Sequence, residues 1–423
     1  MIISWTQISV TLRTEPASTS STLSASSTPA PSTATLDGNA IPPLEQITSG
    51  MPIQGTVNMF TSFAAGASPP VSGAPPLPTI SIVTSNYPAL DIIPPTNSSL
   101  VQGWLAKIAA ANIPNIPKTT DGSCASDPQL VANASASGSC WWTCGGCLRD
   151  TDISVCPDKG LGAPYTPHLI NYLNQNQLKA TFFVVGSRVI SRPDMLQTEY
   201  MLGHELSVHT WSHPPLTSLT NEQIVAELAW TMKSIKDVTG VTPNTFRPPY
   251  GDLDDRVRAI AAAMGLRPIQ WTNVGSTEFD TDDWKIPGGT ATGLSSYAAF
   301  QNILSLQSNL STGFIVLEHD LYQQTVDMAI GYFLPLAFNE SLKLEAINVC
   351  LGNPLADSYI ETASNVTVTV SGSHTITVSR ATSTSTATQG GQGGPKSSAS
   401  LNTPSRGMFV SLGLIVVGAV FLG

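Results

Sequence analysis

Along the middle of the chain, apolar positions switch repeatedly between a continuous or two-residue pattern and a helical one. Ala180-Thr-Phe-Phe-Val-Val185 is an unbroken β-branched and aromatic run, the pattern of a strand buried on both faces, and Gly186 ends it. Upstream, residues 167–178 place Leu169, Ile170 and Leu173 on one side of a helix. Downstream the pattern predicts a helix over 194–202 closed by Gly203, then a strand over 206–209. Thr220-Asn-Glu-Gln223 is a capping box that opens a long helix to Gly240, with Ile224, Leu228, Met232 and Ile235 at helical spacing. A short strand at 245–247 comes next, then a helix over 254–264 stopped by Gly265 and a strand over 268–272. A buried strand at 314–317 and a last helix over 326–338 complete the series. Strand and helix alternating with short connections predict an α/β fold on a parallel sheet, flat or closed into a barrel. In barrels of this kind chemistry gathers at the C-terminal ends of the strands, where His209, Arg247 and His319 all fall.

The flanks read differently. Residues 1–85 and 351–406 are rich in Ser, Thr, Pro, Ala and Gly, bury too little apolar surface to offset ordering entropy, and are expected to be disordered or O-glycosylated. Residues 86–150 form a leader, with an amphipathic helix candidate over 99–112 and a cysteine-rich, loop-like cap from 121 to 158 carrying Trp141 and Trp142. The expected globular domain is 151–350, long enough for a full α/β core. Residues 407–423 hold an apolar run at 408–422, behind a polar spacer and a small-residue patch around Ser398. That order matches a glycosylphosphatidylinositol attachment signal at Ser398. A membrane-spanning tail is the alternative, for which the run is short. The first fourteen residues lack the continuous apolar core of a secretory signal.

Charge narrows the partners. A formal net charge of −10 and the absence of any Lys/Arg-rich run argue against nucleic acid, and nothing implies a protein partner. Six cysteines, Cys124, Cys140, Cys144, Cys147, Cys156 and Cys350, read as disulfides of unspecified connectivity in a secretory protein. A zinc reading of Cys144-Gly-Gly-Cys147 would need a second pair at similar spacing, and Cys140 and Cys156 are looser than that. Asn97, Asn133, Asn309, Asn339 and Asn365 each begin an N-glycosylation sequon.

The chemistry centres on His209-Thr-Trp-Ser-His213. Two histidines four apart would share one side of a helical turn and could hold a divalent metal between them. A second cluster, Arg247-Pro-Pro-Tyr-Gly-Asp252, follows. These stretches, with Lys179-Ala-Thr-Phe-Phe-Val-Val-Gly186, Asp280-Thr-Asp-Asp-Trp284 and Val316-Leu-Glu-His319, resemble the polysaccharide deacetylases of carbohydrate esterase family four, the NodB-homology domain, and in particular its fungal chitin deacetylases.

The resemblance implies a distorted (β/α) barrel that removes N-acetyl groups from a chitin-like polymer with a divalent metal, zinc or cobalt. By it, His209 and His213 are metal ligands and His319 is the general acid for the leaving amine, oriented by Asp283 and walled by Trp284. Arg247 steadies the catalytic base, and Tyr250 offers its backbone N–H to the oxyanion. Bland alternatives are a structural ion pair for Arg247, a solvated loop for Asp280, Asp282 and Asp283, a core histidine for His319 and simple packing for Trp284. His168 and His204 fall in no family motif and are expected to be structural.

One motif is missing. Family members carry a strand running into Thr-(Phe/Tyr)-Asp-Asp-Gly-Pro, whose aspartates are the base and the third metal ligand. Here the two aspartate positions fall on Lys159 and Gly160, with Asp158 one place out. A stretch looks cut out near Gly160 to Gly162, which reads as a misread or alternatively spliced version of an active protein or, in the alternative, as an inactive relative. The literal chain is expected to be a barrel short of one central strand and two carboxylates, with neighbouring strand edges exposed.

Overall fold

The computed structural model describes residues 39–52, 58–79, 82–156, 166–320 and 322–364, with short strand segments at 6–9, 11–13, 35–36, 159–160, 367–370 and 374–377. Its central sheet has six strands: β1 (Thr6–Ser9), β2 (Thr181–Val184), β3 (Glu205–Val208), β4 (Thr245–Phe246), β5 (Arg267–Pro268) and β6 (Glu318–His319). Their spatial order is β5-β4-β3-β2-β1-β6. Strands β2 to β5 run parallel, with Val184 beside Val208 and Val208 beside Phe246. Beyond Pro268, the Gln270 N–H bonds the Ile153 carbonyl (2.7 Å) and the Thr272 N–H bonds the Ile315 carbonyl (2.9 Å). Residues 315–317 run straight into β6, so the sheet curls back on itself as a distorted barrel.

The slot between β2 and β6 is filled by β1, antiparallel to both, with Gln7 paired to Phe183 on one side and His319 on the other. The edges that a missing central strand would leave open are therefore paired by backbone from the N-terminal segment. Its sequence there, Thr6-Gln-Ile-Ser9, has no carboxylate. Lys159–Gly160, where the family's aspartates would fall, pairs with Thr11 and Leu12 in a separate small sheet.

Helices α1 (Ser99–Ile108), α2 (Pro128–Ser137), α3 (Thr166–Gln175), α4 (Gly186–Ser191), α5 (Pro193–Met201), α6 (Asn221–Thr239), α7 (Asp255–Ala263) and α8 (Gly293–Leu306) precede β6. The expected capping box opens α6: the Thr220 side chain accepts the Gln223 N–H, and Gln223 accepts the Thr220 N–H (2.9 Å). Gly240, at φ 85°, closes it. With helices packed on the sheet, Phe182, Phe183, Leu206, Val208 and Phe246 are all fully buried. Each such side chain contributes about 1.5–3 kcal/mol relative to exposure.

Four expectations are corrected. The cap is not all loop, since α2 lies within it. Pro128 at its first turn and Gly138 beyond its end (φ 72°) are the start and stop signals that mark it. The run 314–317 is buried, yet only Gly313–Phe314 forms a strand there, paired with Val155–Cys156. The helix expected over 326–338 is split by a π-helical turn at Ala329–Phe333, just before Pro335, whose ring and missing N–H demand a widened turn. Finally, part of the N-terminal flank is ordered against the domain: Ile41, Ile47, Met51, Val71 and Leu77 are buried. The Tyr332 hydroxyl donates to the Pro42 carbonyl (2.6 Å) and the Gly293 N–H to that of Ile47 (2.8 Å). These apolar residues show no period because an extended strap fills separate hollows one at a time.

Candidate active site

His209 follows the last residue of β3, and its N–H continues the ladder to the Val184 carbonyl (3.0 Å). Its Nδ1 lies 2.7 Å from the Arg247 carbonyl oxygen, which can only accept, so Nδ1 carries the proton and Nε2 keeps its lone pair. That Nε2 is buried and has no partner. The His213 ring sits 4.7 Å away, centroid to centroid. Burial pushes the pKa of His209 well down, and that of His213 down to about 3, so both rings are neutral, the form that binds metal. The pair does not share a helical turn, as the spacing predicts. Thr210 (φ 63°) and His213 (φ 61°) are left-handed, and the loop between them folds back. Each such residue costs about 1–3 kcal/mol, which surrounding contacts must offset.

Across the site stands His319, at the end of β6. Its Nδ1 meets Asp283 Oδ1 at 2.7 Å and its backbone N–H donates to Asp283 Oδ2 at 2.8 Å, while Asp283 is fully buried. Burial alone would lower the His319 pKa. The charge and hydrogen bond of Asp283, aided by Asp280 and Asp320, outweigh it and hold the value above the ordinary one. Asp280 is itself pushed up to about 6 by burial, and it accepts the Trp284 indole N–H (3.2 Å). Asp283 is thus no solvated loop residue. Trp284 (48% exposed) and Tyr250 (55% exposed) leave broad aromatic faces open beside His319 and His213 respectively. Tyr250 is left-handed at φ 58°.

Arg247 is fully buried with its guanidinium carbon 3.9 Å from the Phe183 ring centre. Its Nε reaches the Ile269 carbonyl at 3.4 Å, and its other two nitrogens have no partner. Among the described residues, the structural ion pair considered for Arg247 is not formed: its buried guanidinium meets no carboxylate, and the buried His209 Nε2 has no partner. The two imidazoles suit a divalent ion. Among the described residues, no third His, Cys, Asp or Glu joins them to complete a set.

His204 is structural: it is buried and accepts the Ala180 N–H at Nδ1 (3.1 Å). Cys144 and Cys147 belong to different disulfides, Cys124–Cys144 and Cys140–Cys147, which removes the zinc reading, and Cys350 is also disulfide-bonded. Asn97, Asn133, Asn309 and Asn339 are exposed, whereas Asn365, Ser398 and the apolar tail lie outside the described residues. Among the described residues, no helix is long and apolar enough to cross a membrane.

Two buried carboxylates have no role assigned from sequence, although Asp252 ends the Arg247 cluster. Asp252 accepts the Trp141 indole N–H (3.1 Å), the Thr143 hydroxyl (3.0 Å), and the Thr217 N–H (2.8 Å) and hydroxyl (2.7 Å), tying the cap to the site loops. Glu227 lies on the apolar face of α6, three residues after Ile224, and that placement of an acid is the signal that could have found it.

Residues 145–269 match the family model described as polysaccharide deacetylase. Chitin deacetylase 1 of Cryptococcus neoformans var. grubii is 58% identical over 346 residues, covering 78% of this chain and 73% of that one. The chain belongs to the polysaccharide deacetylase family. Chitin deacetylase 2 of the same organism is 34% identical over 294 residues, covering 64% of this chain and 62% of that one. Among solved structures, the chitin deacetylase of Colletotrichum lindemuthianum aligns at 24% identity and a TM-score of 0.43, covering 49% of this chain and 94% of that one. Within the matched span lie His209, His213, Arg247 and Tyr250, while Asp283, Trp284 and His319 follow it.

Proposed function

We propose that the protein is a metal-dependent chitin deacetylase, hydrolysing N-acetyl groups of cell-wall chitin to chitosan and acetate. The carrying observation is the 58% identity to Cryptococcus chitin deacetylase 1 over 346 residues, which takes in the histidine pair and the Asp283–His319 pair. His209 and His213 would hold the ion, zinc or cobalt, which when bound polarises the acetamide carbonyl and acidifies a water. Asp283 fixes the His319 proton at Nδ1 and favours the imidazolium, so that Nε2 can protonate the amine nitrogen as the C–N bond breaks. Trp284 and Tyr250 would wall a sugar ring between them, and the Tyr250 N–H would face the oxyanion. A lipid anchor at Ser398 and glycans on the sequon asparagines would place the enzyme at the cell surface. The disulfides suit such a compartment.

A second reading has one specific observation in its favour. With Arg247 unpaired and two ligands in place among the described residues, the chain suits a carbohydrate-binding relative that has lost its chemistry. Tryptic mass spectrometry of the protein from its own source, with an acetate-release assay on chitin oligomers and acetylated xylan, decides between them. A longer peptide in place of Gly160 to Lys179, with metal-dependent acetate release from chitin, is the result expected of the enzyme. An intact Gly160 to Lys179 peptide, with chitin bound and no acetate released, would establish the binding protein. Release from xylan alone would assign a different acetylated polymer.

A further inference from the structure

The turn that carries the histidine pair is held from outside itself. Its carbonyls are used by the start of α4: the Gly186 N–H donates to Thr210 (2.9 Å) and the Ser187 N–H to Trp211 (3.1 Å). The His213 N–H bonds the Thr210 hydroxyl (3.1 Å). Of the three backbone donors between the histidines, those of Trp211 and Ser212 both go to one oxygen of Glu227. Oε2 accepts the Trp211 N–H (2.7 Å) and the Ser212 N–H (2.8 Å), while Oε1 accepts the Ser212 hydroxyl (2.6 Å). Glu227 is fully buried on α6 and forms no salt bridge among the described residues. A carboxylate can only accept, and here it faces the donors of Trp211 and Ser212 with the Thr210 hydroxyl beside them.

We propose that Glu227 is a positioning residue of the metal-binding turn: its carboxylate holds Trp211 and Ser212 so that His209 and His213 converge despite two left-handed residues in the turn. The role of the turn as a metal site rests on the function proposed above, whereas the clamp itself does not. Thr210 and His213 both adopt backbone conformations that favour glycine, and neither is glycine. Without the clamp, the buried Trp211 N–H and the part-buried Ser212 N–H lose the acceptor they share, and the turn relaxes toward conformations in which the rings diverge. The register is also locked from below. A Cβ on Gly186 would lie 2.6 Å from Trp211 Cε3 and 2.7 Å from Thr231 Oγ1, so the turn, α4 and α6 meet with no room for adjustment.

The test uses the full chain with Glu227→Gln, Glu227→Asp and Glu227→Ala, and with Ser234→Ala as control. Ser234 is a buried α6 residue whose hydroxyl bonds only the Thr231 carbonyl, away from the turn. Two readouts are taken: amide hydrogen exchange at Trp211 and Ser212, and cobalt(II) affinity by titration. Glu227→Gln keeps an oxygen for both N–H groups and should stay within about threefold of wild type in affinity. Glu227→Asp is one methylene short; it should speed exchange at both amides and weaken cobalt binding at least tenfold, as should Glu227→Ala if it folds. Ser234→Ala should change neither. Unchanged exchange in Glu227→Asp would overturn the clamp. Faster exchange with unchanged cobalt affinity would overturn its part in positioning the ligands, and so would equal loosening by Ser234→Ala. If wild type takes up no cobalt, the metal reading fails while the exchange result still decides the clamp.

Discussion

Arg247 and His319 show how one side chain's surroundings set what it can do. Arg247 is fully buried, and desolvation pulls its pKa well below the ordinary value, with no anion among the described residues to oppose it. A buried charge with no partner destabilises the fold, so Arg247→Met should raise stability by about 1–4 kcal/mol in urea denaturation. A loss of about 3–5 kcal/mol would mean that a carboxylate faces Arg247 in the folded protein. His319 runs the other way. Its folded pKa lies above the unfolded value near 6.5, so the Asp283 contact stabilises the fold fully below about pH 6.5 and loses that contribution as pH rises through the higher folded value. Asp283→Asn should flatten this part of the pH–stability curve, measured by calorimetry between pH 5 and 9. An unchanged slope would show that Asp283 does not charge the ring. Both residues stood in recognisable motifs. Arg247's lack of a partner was not visible in those motifs, because it depends on what other strands bring to the same point.

At the level of elements, the cap and the Tyr250 turn act as one piece. The Trp142 ring packs on Gly251 and crosses Trp271 edge-on at 4.6 Å, and the Trp142 backbone N–H donates to the Leu253 carbonyl (2.8 Å). A Cβ on Gly251 would fall 2.2 Å from Trp142 Cζ3, on a residue already at φ +68°. Gly265, at φ +82°, has nothing within 4 Å. Gly251→Ala should therefore cost backbone strain plus about 1–3 kcal/mol of overpacking, and should shift the near-ultraviolet dichroism of the tryptophans. Gly265→Ala should cost only the strain, about 1–2 kcal/mol. Equal losses in both variants would show that Trp142 yields freely and that the cap does not brace the turn. Gly265 was readable as a helix stop and did end its helix. The contact between Gly251 and Trp142 joins residues 109 positions apart and carries no local signal.

For the whole molecule, the decisive feature is β1 in the slot between β2 and β6. Removing residues 1–13 would bare two strand edges in the middle of the sheet, so the truncated protein should aggregate or lose a single cooperative unfolding transition. An unchanged transition would show that β1 contributes nothing there. Periodicity located the capped helix α6, the strands β2 and β3, and the alternation that builds a parallel sheet, because local side-chain pattern and backbone propensity act within one element. Order of motifs was enough to place His209, Arg247 and His319 at strand ends and to reach the family. It did not foresee the left-handed turn between the histidines, the packed strap at Ile41 to Leu77, or which segment fills the vacant strand. Each of these depends on hydrogen bonds and hollows supplied by residues far away in the chain. The chain alone determined which elements form and which chemical groups are on hand. Tertiary structure decided which of those groups meet, because burial and partnership are properties of a place in the fold, not of a residue type.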